Sequence, residues 1–212
     1  MKKIIILVPV FNDWESLDKL IREIDENIKE YKDINFECII INDASTISQS
    51  KLTKPNNIKS LQILNMKKNR GHARCNAFGI RYILKNEKFD YLILMDGDGE
   101  DRPVEIKSLI SKIVNNPNNS VVAKRIKRSE GPFFQLLYQI HKIITFTFTG
   151  KNIKFGNYSC LTRQDVEKIH SEPSLWSSYS GTVKKHIIDF NEINSVRGLR
   201  YFGPSHMSLF KL

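Results

Sequence analysis

The feature that most constrains the fold is an alternation of short apolar runs with stretches whose apolar residues recur at helical spacing. Ile4 to Pro9 is rich in β-branched residues and free of polar interruption, the pattern of a strand covered on both faces. From Trp14 to Tyr31, Leu17, Leu20, Ile21, Ile24 and Ile28 mark one helical face, and Asp13 stands where an N-cap carboxylate belongs. Phe36 to Ile41 predicts a second buried strand, stopped at Asn42-Asp43, and Ser60 to Met66 predicts a third. A helix from about Arg74 to Lys85, a strand at Asp90 to Met95, a helix from Val104 to Asn115 and a strand at Ser120 to Ala123 follow. Alternation of this kind predicts a single α/β domain with a mainly parallel sheet, whose ligands bind at the carboxyl ends of the strands. Asn12-Asp13, Asn42-Asp43 and Asp96-Gly97-Asp98 all fall at such ends, which locates a candidate site.

The second half is less regular. Residues 1–123 form the alternating half and 124–212 a more varied one. Pro132 to Thr149 reads as a helix apolar nearly all round, suited to the core, a dimer interface or a membrane surface. Gly156 to Leu161 reads as a strand and Arg163 to His170 as a helix, and the remainder runs to a turn-rich Arg200 to Ser208.

The formal charge of +10 favours anionic partners such as phosphorylated small molecules or an anionic membrane surface. Nucleic acid is the third anion to weigh, but an acidic cluster at a strand end fits a nucleic-acid module poorly. Three dispersed cysteines, Cys38, Cys75 and Cys160, suggest reduced core thiols and neither disulfides nor a zinc site. The N-terminal apolar run is too short for a signal peptide, and no stretch approaches the roughly 18 apolar residues of a membrane span. The expected setting is the cytoplasm.

Asp96, Asp98, Glu100 and Asp101 crowd four carboxylates into six residues directly after a buried strand. Their mutual repulsion calls for a cation. If the segment is extended, alternate residues share a side and Asp96, Asp98 and Glu100 converge on one ion. Oxygen ligands suit Mg²⁺ or Mn²⁺, with substrate phosphates completing the shell. The spacing excludes an EF-hand, because the later loop ligands are missing. A solvated acidic turn ahead of the helix that Pro103 opens is the bland alternative.

These segments carry a resemblance. Val8-Pro-Val-Phe-Asn-Asp13 resembles the opening Val-Pro-x-Tyr/Phe-Asn-Glu of family 2 inverting glycosyltransferases, and Ile41-Asn-Asp-Ala-Ser45 resembles their Val-Asp-Asp-Gly-Ser. Asn69-Arg-Gly71 with Gly79 resembles the start of their glycine-bearing helix, and Met95 to Pro103 their Met-Asp-Ala-Asp-Leu-Gln-Asp/His-Pro-Pro. Arg125-Ile-Lys-Arg128, Gly156 to Arg163 and Arg200-x-x-Gly203-x-Ser205-His-Met-Ser208 extend the likeness over nearly the whole chain. It is similar above all to the polyprenyl-phosphate glycosyltransferases, such as dolichol-phosphate mannosyltransferase.

The resemblance implies a GT-A fold, a Rossmann-like, mainly parallel mixed sheet flanked by helices, and a UDP- or GDP-linked sugar donor. By position, Pro9, Phe11 and Asp13 would border the nucleotide, Asp43 would bind base or ribose, and Asn69 and Gly71 would lie along the same ligand. Asp96 would lie near ribose and metal, while Asp98 and Glu100 would ligate the metal. Arg125 and Arg128 would bind phosphate of donor or acceptor through the planar guanidinium fork. Arg200, Ser205 and His206 would lie on a loop closing over the phosphates.

Three departures bear on the acceptor. His206 stands where the family usually has Lys, and relatives commonly continue into transmembrane helices, so the resemblance implies a removed anchor or a peripherally docking form. Lys124, Arg125, Lys127, Arg128, Lys142, Lys151 and Lys154 are the cations for such docking at the cytoplasmic membrane face. Asn157 stands where many relatives have Asp, and an amide cannot act as a general base. A polyprenyl-phosphate acceptor needs no base, and Asn157 would then only orient it. A saccharide hydroxyl needs one, and Asp101 is the candidate. An inactive nucleotide-binding paralogue is a third reading. Nucleotidyl transfer is disfavoured, because Val8 to Asn12 occupies the place of a glycine-rich loop.

Overall fold

The computed structural model describes residues 1–127 and 155–204. In chain order these are β1 (Lys2–Val10), α1 (Trp14–Ile28), β2 (Ile34–Asn42), β3 (Ile58–Asn65), α2 (His72–Asn86) and β4 (Tyr91–Leu94). A 3-10 turn at Pro103–Glu105 leads into α3 (Ile106–Asn115), followed by β5 (Ser120–Lys127) and β6 (Phe155–Thr162). Then come α4 (Arg163–Ile169), a second 3-10 turn at Pro173–Trp176, α5 (Tyr179–His186) and β7 (Phe190–Val196). The expected helix at Pro132 to Thr149 lies outside the described residues, as do Arg128, Ser205 and His206.

The seven strands form one sheet in the order β3-β2-β1-β4-β6-β5-β7. β1 runs parallel to β2 and β4, β2 to β3, and β5 to β7, while β6 is antiparallel to both of its neighbours. The parallel strands therefore all end on one rim, and β6 begins there.

Strand periodicity divides the core into two layers. Ile4, Ile6 and Val8 face α1 and α3, packing on Leu17, Ile21, Ile24, Leu109 and Ile113. Ile5 and Leu7 face α2, α4 and α5, packing on Ile80, Ile83, Val166 and Val183. Gly79 lets α2 press onto the sheet, because a Cβ there would stand 2.5 Å from Leu7 Cδ1. All three cysteines are buried and free, and burial pushes the Cys38 thiol up to about 12. No helix of the described residues is long and apolar enough to cross a membrane.

Candidate active site

The rim gathers the three polar strand ends that the sequence marks. The ends of β1 and β2 are stitched together through Asn12 and Asn42. The Asn12 amide donates to Ser45 Oγ (2.9 Å), Asn12 Oδ1 accepts from Thr46 N (2.7 Å), and Asn42 Oδ1 accepts from Ser45 N (3.0 Å). Asn12 and Ala44 both hold positive φ, at 54° and 56°. Ala44 does so where the resembling motif has glycine, a conformation that strains an L side chain.

Asp43 is 3% exposed, and its carboxylate is already engaged. Oδ1 accepts the Arg70 amide (2.7 Å) and Oδ2 the Gly71 amide (2.8 Å). It thus shapes the loop leading into α2. Asn69 is exposed on that loop, and Gly71 takes a φ of 86° immediately before α2. Beside it, a cleft of about 460 Å³ is lined by Asn65, Met66, Lys67, Lys68, Arg70 and Phe78. A smaller cleft of about 320 Å³, bordered by Asp165, Lys168 and His186, lies where β5 and β7 begin, on the opposite rim.

After β4 the chain turns, with Gly99 at a φ of 88°. Pairing of alternate residues assumed an extended backbone, so the turn corrects the predicted convergence of Asp96, Asp98 and Glu100. Asp96, Asp98 and Asp101 stay close, while Glu100 leads away to pair with Arg197. Among the described residues no group of three or more His, Cys, Asp and Glu is gathered to hold a metal. Two carboxylates remain, Asp96 and Asp98, which is enough for a Mg²⁺-type ion that takes the rest of its shell from phosphates and water. Gly97 is needed for the backbone to pass, since a Cβ would stand 2.9 Å from the Pro9 carbonyl oxygen. Pro9 is buried, and Phe11 half-buried, at the end of β1.

Each carboxylate has its own partner. Asp96 Oδ1 lies 2.9 Å from Nε2 of His72, the first residue of α2, and accepts from Asn157 Nδ2 at 3.0 Å. Burial would raise the Asp96 carboxyl, but His72, Asn157 and Arg125 outweigh it and hold it low. Burial likewise works against a charged His72, yet the Asp96, Asp101 and Asp98 carboxylates raise it. Asp101 is 3% exposed, accepts the Asp96 amide at Oδ2 (3.0 Å), and has Arg125 Nη2 3.7 Å from Oδ1. Burial first, and then the charge of Asp96, push its carboxyl up. Arg125 reaches across β6 over Gly156, where a Cβ would stand 2.7 Å from Nη2.

Asp98 accepts the Glu100 amide (3.1 Å) and an Arg200 Nη1 donor (2.9 Å). Burial leads the causes that raise it, with Asp96 and Glu100 adding to the shift. Arg200 also pairs with Asp13. Asp13 occupies the N-cap position of α1 but makes no capping hydrogen bond, because its carboxylate is turned to this arginine. Residues 197–201 form a strap over the acidic turn. Gly198 N donates to Glu100 O (2.8 Å), Tyr201 N to Asp98 O (2.9 Å), and Tyr201 Oη to Glu23 (2.6 Å). The Tyr201 ring lies against Gly99, where a Cβ would be 2.5 Å away.

His72, Arg197, Glu105 and Tyr201 were not singled out from the sequence. His72 alone had a signal, since it follows Gly71 directly at a predicted helix start. Glu105 accepts from Ser195 Oγ (2.7 Å) and Val196 N (3.0 Å), pairings across some ninety residues that no local pattern announces.

The family model for glycosyl transferase family 2 matches residues 5–165. The chain belongs to this family. Its glycosyl transferase family 2 relatives include undecaprenyl-phosphate 4-deoxy-4-formamido-L-arabinose transferase of Yersinia enterocolitica, 26% identical over 220 residues, covering 100% of this chain and 64% of the relative. The chain spans from about half to about two thirds of the length of the curated relatives it matches. Among solved structures, the mannosyltransferase PcManGT of Pyrobaculum calidifontis, in complex with GDP-Man and Mn²⁺, is similar with a TM-score of 0.56 at 16% identity. That match covers 91% of this chain and 54% of that one. Glucosyl-3-phosphoglycerate synthase of Mycobacterium tuberculosis, with Mn²⁺, UDP-Glc and phosphoglyceric acid, matches at a TM-score of 0.58 and 12% identity, covering 95% and 73%. These likenesses fix the fold as GT-A, as the family resemblance implies, and the α/β sheet is the one the alternation predicts.

Proposed function

We propose that this chain transfers a sugar, with inversion, from a nucleoside-diphosphate sugar to a polyprenyl phosphate at a membrane surface. The observation that carries the reading is the meeting of Asp13, Asp96 and Asp98 on one rim, with Arg125 and Arg200 beside them. That rim is where an open parallel sheet binds its ligands. The undecaprenyl-phosphate sugar transferases among the relatives support the acceptor, and the GDP-Man and UDP-Glc complexes of the neighbours support the donor.

In this reading Pro9, Phe11 and the cleft of Lys67, Lys68, Arg70 and Phe78 flank the nucleotide. Asp43 acts indirectly by holding the loop at Arg70 and Gly71. Asp96 and Asp98 would hold a divalent cation, Mg²⁺ or Mn²⁺, which neutralises the diphosphate leaving group. An acceptor phosphate oxygen attacks the anomeric carbon as the bond from that carbon to the diphosphate oxygen breaks. The nucleophile is already anionic, so no proton has to be removed. This suits a site in which Asn157 is an amide and Asp101 is buried against Arg125. A saccharide hydroxyl would need a base with access to the acceptor, which Asp101 in this position does not offer.

Thermal-shift screening of UDP and GDP, with and without Mn²⁺, tests the donor site. One of them should stabilise the fold only with metal, and Asp98→Ala should abolish the effect while remaining folded. Stabilisation by neither nucleotide sinks the reading. Release of nucleoside diphosphate on adding undecaprenyl phosphate, but not free saccharides, tests the acceptor.

A further inference from the structure

We propose that Arg200 is a built-in competitor for the divalent cation, holding Asp98 in the resting protein and exchanging that carboxylate for the diphosphate when the metal and nucleotide arrive. The inference rests on the proposed function and adds a coupling between metal arrival and strap chemistry. Its basis is how the strap is held. Arg200 bridges Asp98 and Asp13, three charges whose side chains are between 14% and 21% exposed. A guanidinium therefore neutralises the carboxylate assigned to the metal, and both cations cannot occupy the same lone pairs at full strength.

The strap has anchors besides that arginine, whose Nε also donates to the Phe202 carbonyl (3.1 Å). Backbone donors at 198 and 201 bind carbonyls at 100 and 98, the Tyr201 ring covers Gly99, and its hydroxyl reaches Glu23. Arg197 separately anchors to Glu100. Arg200 can therefore release Asp98 by a side-chain rotation while residues 197–201 stay docked. Once released, the guanidinium is tethered beside Asp98, where the diphosphate charge of the donor collects. A planar fork suits phosphate as well as carboxylate. Metal binding is thus opposed by Arg200 in the absence of nucleotide and assisted by it in its presence.

The test separates these opposite signs in the whole chain. Free Mn²⁺ is measured by electron paramagnetic resonance without nucleotide, and nucleoside diphosphate binding by calorimetry at saturating Mn²⁺. Arg200→Gln, checked for folding by circular dichroism, should bind Mn²⁺ alone roughly tenfold more tightly, the equilibrium equivalent of one lost charge-assisted hydrogen bond. It should bind the nucleoside diphosphate at least several-fold more weakly. Unchanged or weaker Mn²⁺ affinity in the variant, with wild type binding the Mn²⁺-nucleotide normally, overturns this proposal alone. Wild type binding no Mn²⁺-nucleotide overturns the proposed function and this inference with it. A reading without substitution uses the Arg200 Nη–H signals of ¹⁵N-labelled wild type, because Nη1 carries the bond to Asp98 while Nε donates to the Phe202 carbonyl. They should shift in step with a Mg²⁺ titration lacking nucleotide, and signals that stay fixed as the site fills refute the exchange.

Discussion

Asp43 separates two roles that a motif cannot distinguish. A carboxylate reserved for the nucleotide should be dispensable for folding, whereas the structure gives it two backbone amides, those of Arg70 and Gly71, at 2.7 and 2.8 Å. Asp43→Ala leaves both donors without an acceptor at a position only 3% exposed. At about 2 kcal/mol for each hydrogen bond to a charged carboxylate, the loss is about 4 kcal/mol. For a chain of this length each kcal/mol lowers the melting temperature by about 2–4 °C, so the variant should melt about 12 °C below wild type. Asp43→Asn keeps one acceptor oxygen and should lose about half as much. Differential scanning calorimetry of the ligand-free protein measures both. Asp25→Ala is the matched control. Its carboxylate accepts the amides of Asn56, Asn57 and Ile58 behind α1 and the Asn57 side-chain amide, so it should destabilise at least as much without altering nucleotide affinity in the protein that remains folded. An Asp43→Ala protein melting within about 2 °C of wild type, with nucleotide binding abolished, would refute the reasoning and return the carboxylate to the ligand.

Three further outcomes are expected. His72 is raised above its ordinary 6.5, so the stability it lends through Asp96 is fully present below pH 6.5 and is lost as pH climbs through the raised folded value. The melting-temperature gap between wild type and His72→Gln, without metal, should therefore narrow with rising pH, and a constant gap contradicts the pairing. Asn76 is 1% exposed with neither amide atom bonded, so Asn76→Leu should raise stability by about 1 kcal/mol in urea titration, and a destabilised variant would show that the amide has a bound partner. Ala44→Gly removes the strain of a φ of 56°, and after the added freedom of the unfolded chain it should gain about 0.5 kcal/mol, whereas a loss of stability would show Ala44 to be unstrained.

Most of the sheet was legible because its strands are largely buried, so Ile4 to Val8 reads as an unbroken apolar run and Phe36 to Ile41 as one interrupted only by Glu37. β7 was not, since Phe190–Val196 is an edge strand with only Ser195 buried, and a half-exposed strand leaves little apolar signal. The acidic turn was legible as a cluster, and its place at a strand end followed from the alternation. Its internal geometry was not. Gly99 turns the backbone, and Arg197, 97 residues further along the chain, draws Glu100 away. Asp13 failed as a helix cap for the same reason, because Arg200 claims its carboxylate from 187 residues away.

Those separations bear on the order in which the site comes into being during synthesis. Asp98 leaves the ribosome 102 residues ahead of Arg200, and Glu100 leaves 97 residues ahead of Arg197. The strands that place Asp13 and Asp98 are complete before either arginine exists, and domains begin folding while synthesis continues at about 5–20 residues per second. For several seconds the nascent chain carries an acidic rim with no strap across it. On the competition proposed above, the order of synthesis puts the unguarded acidic segment ahead of the strap that guards it.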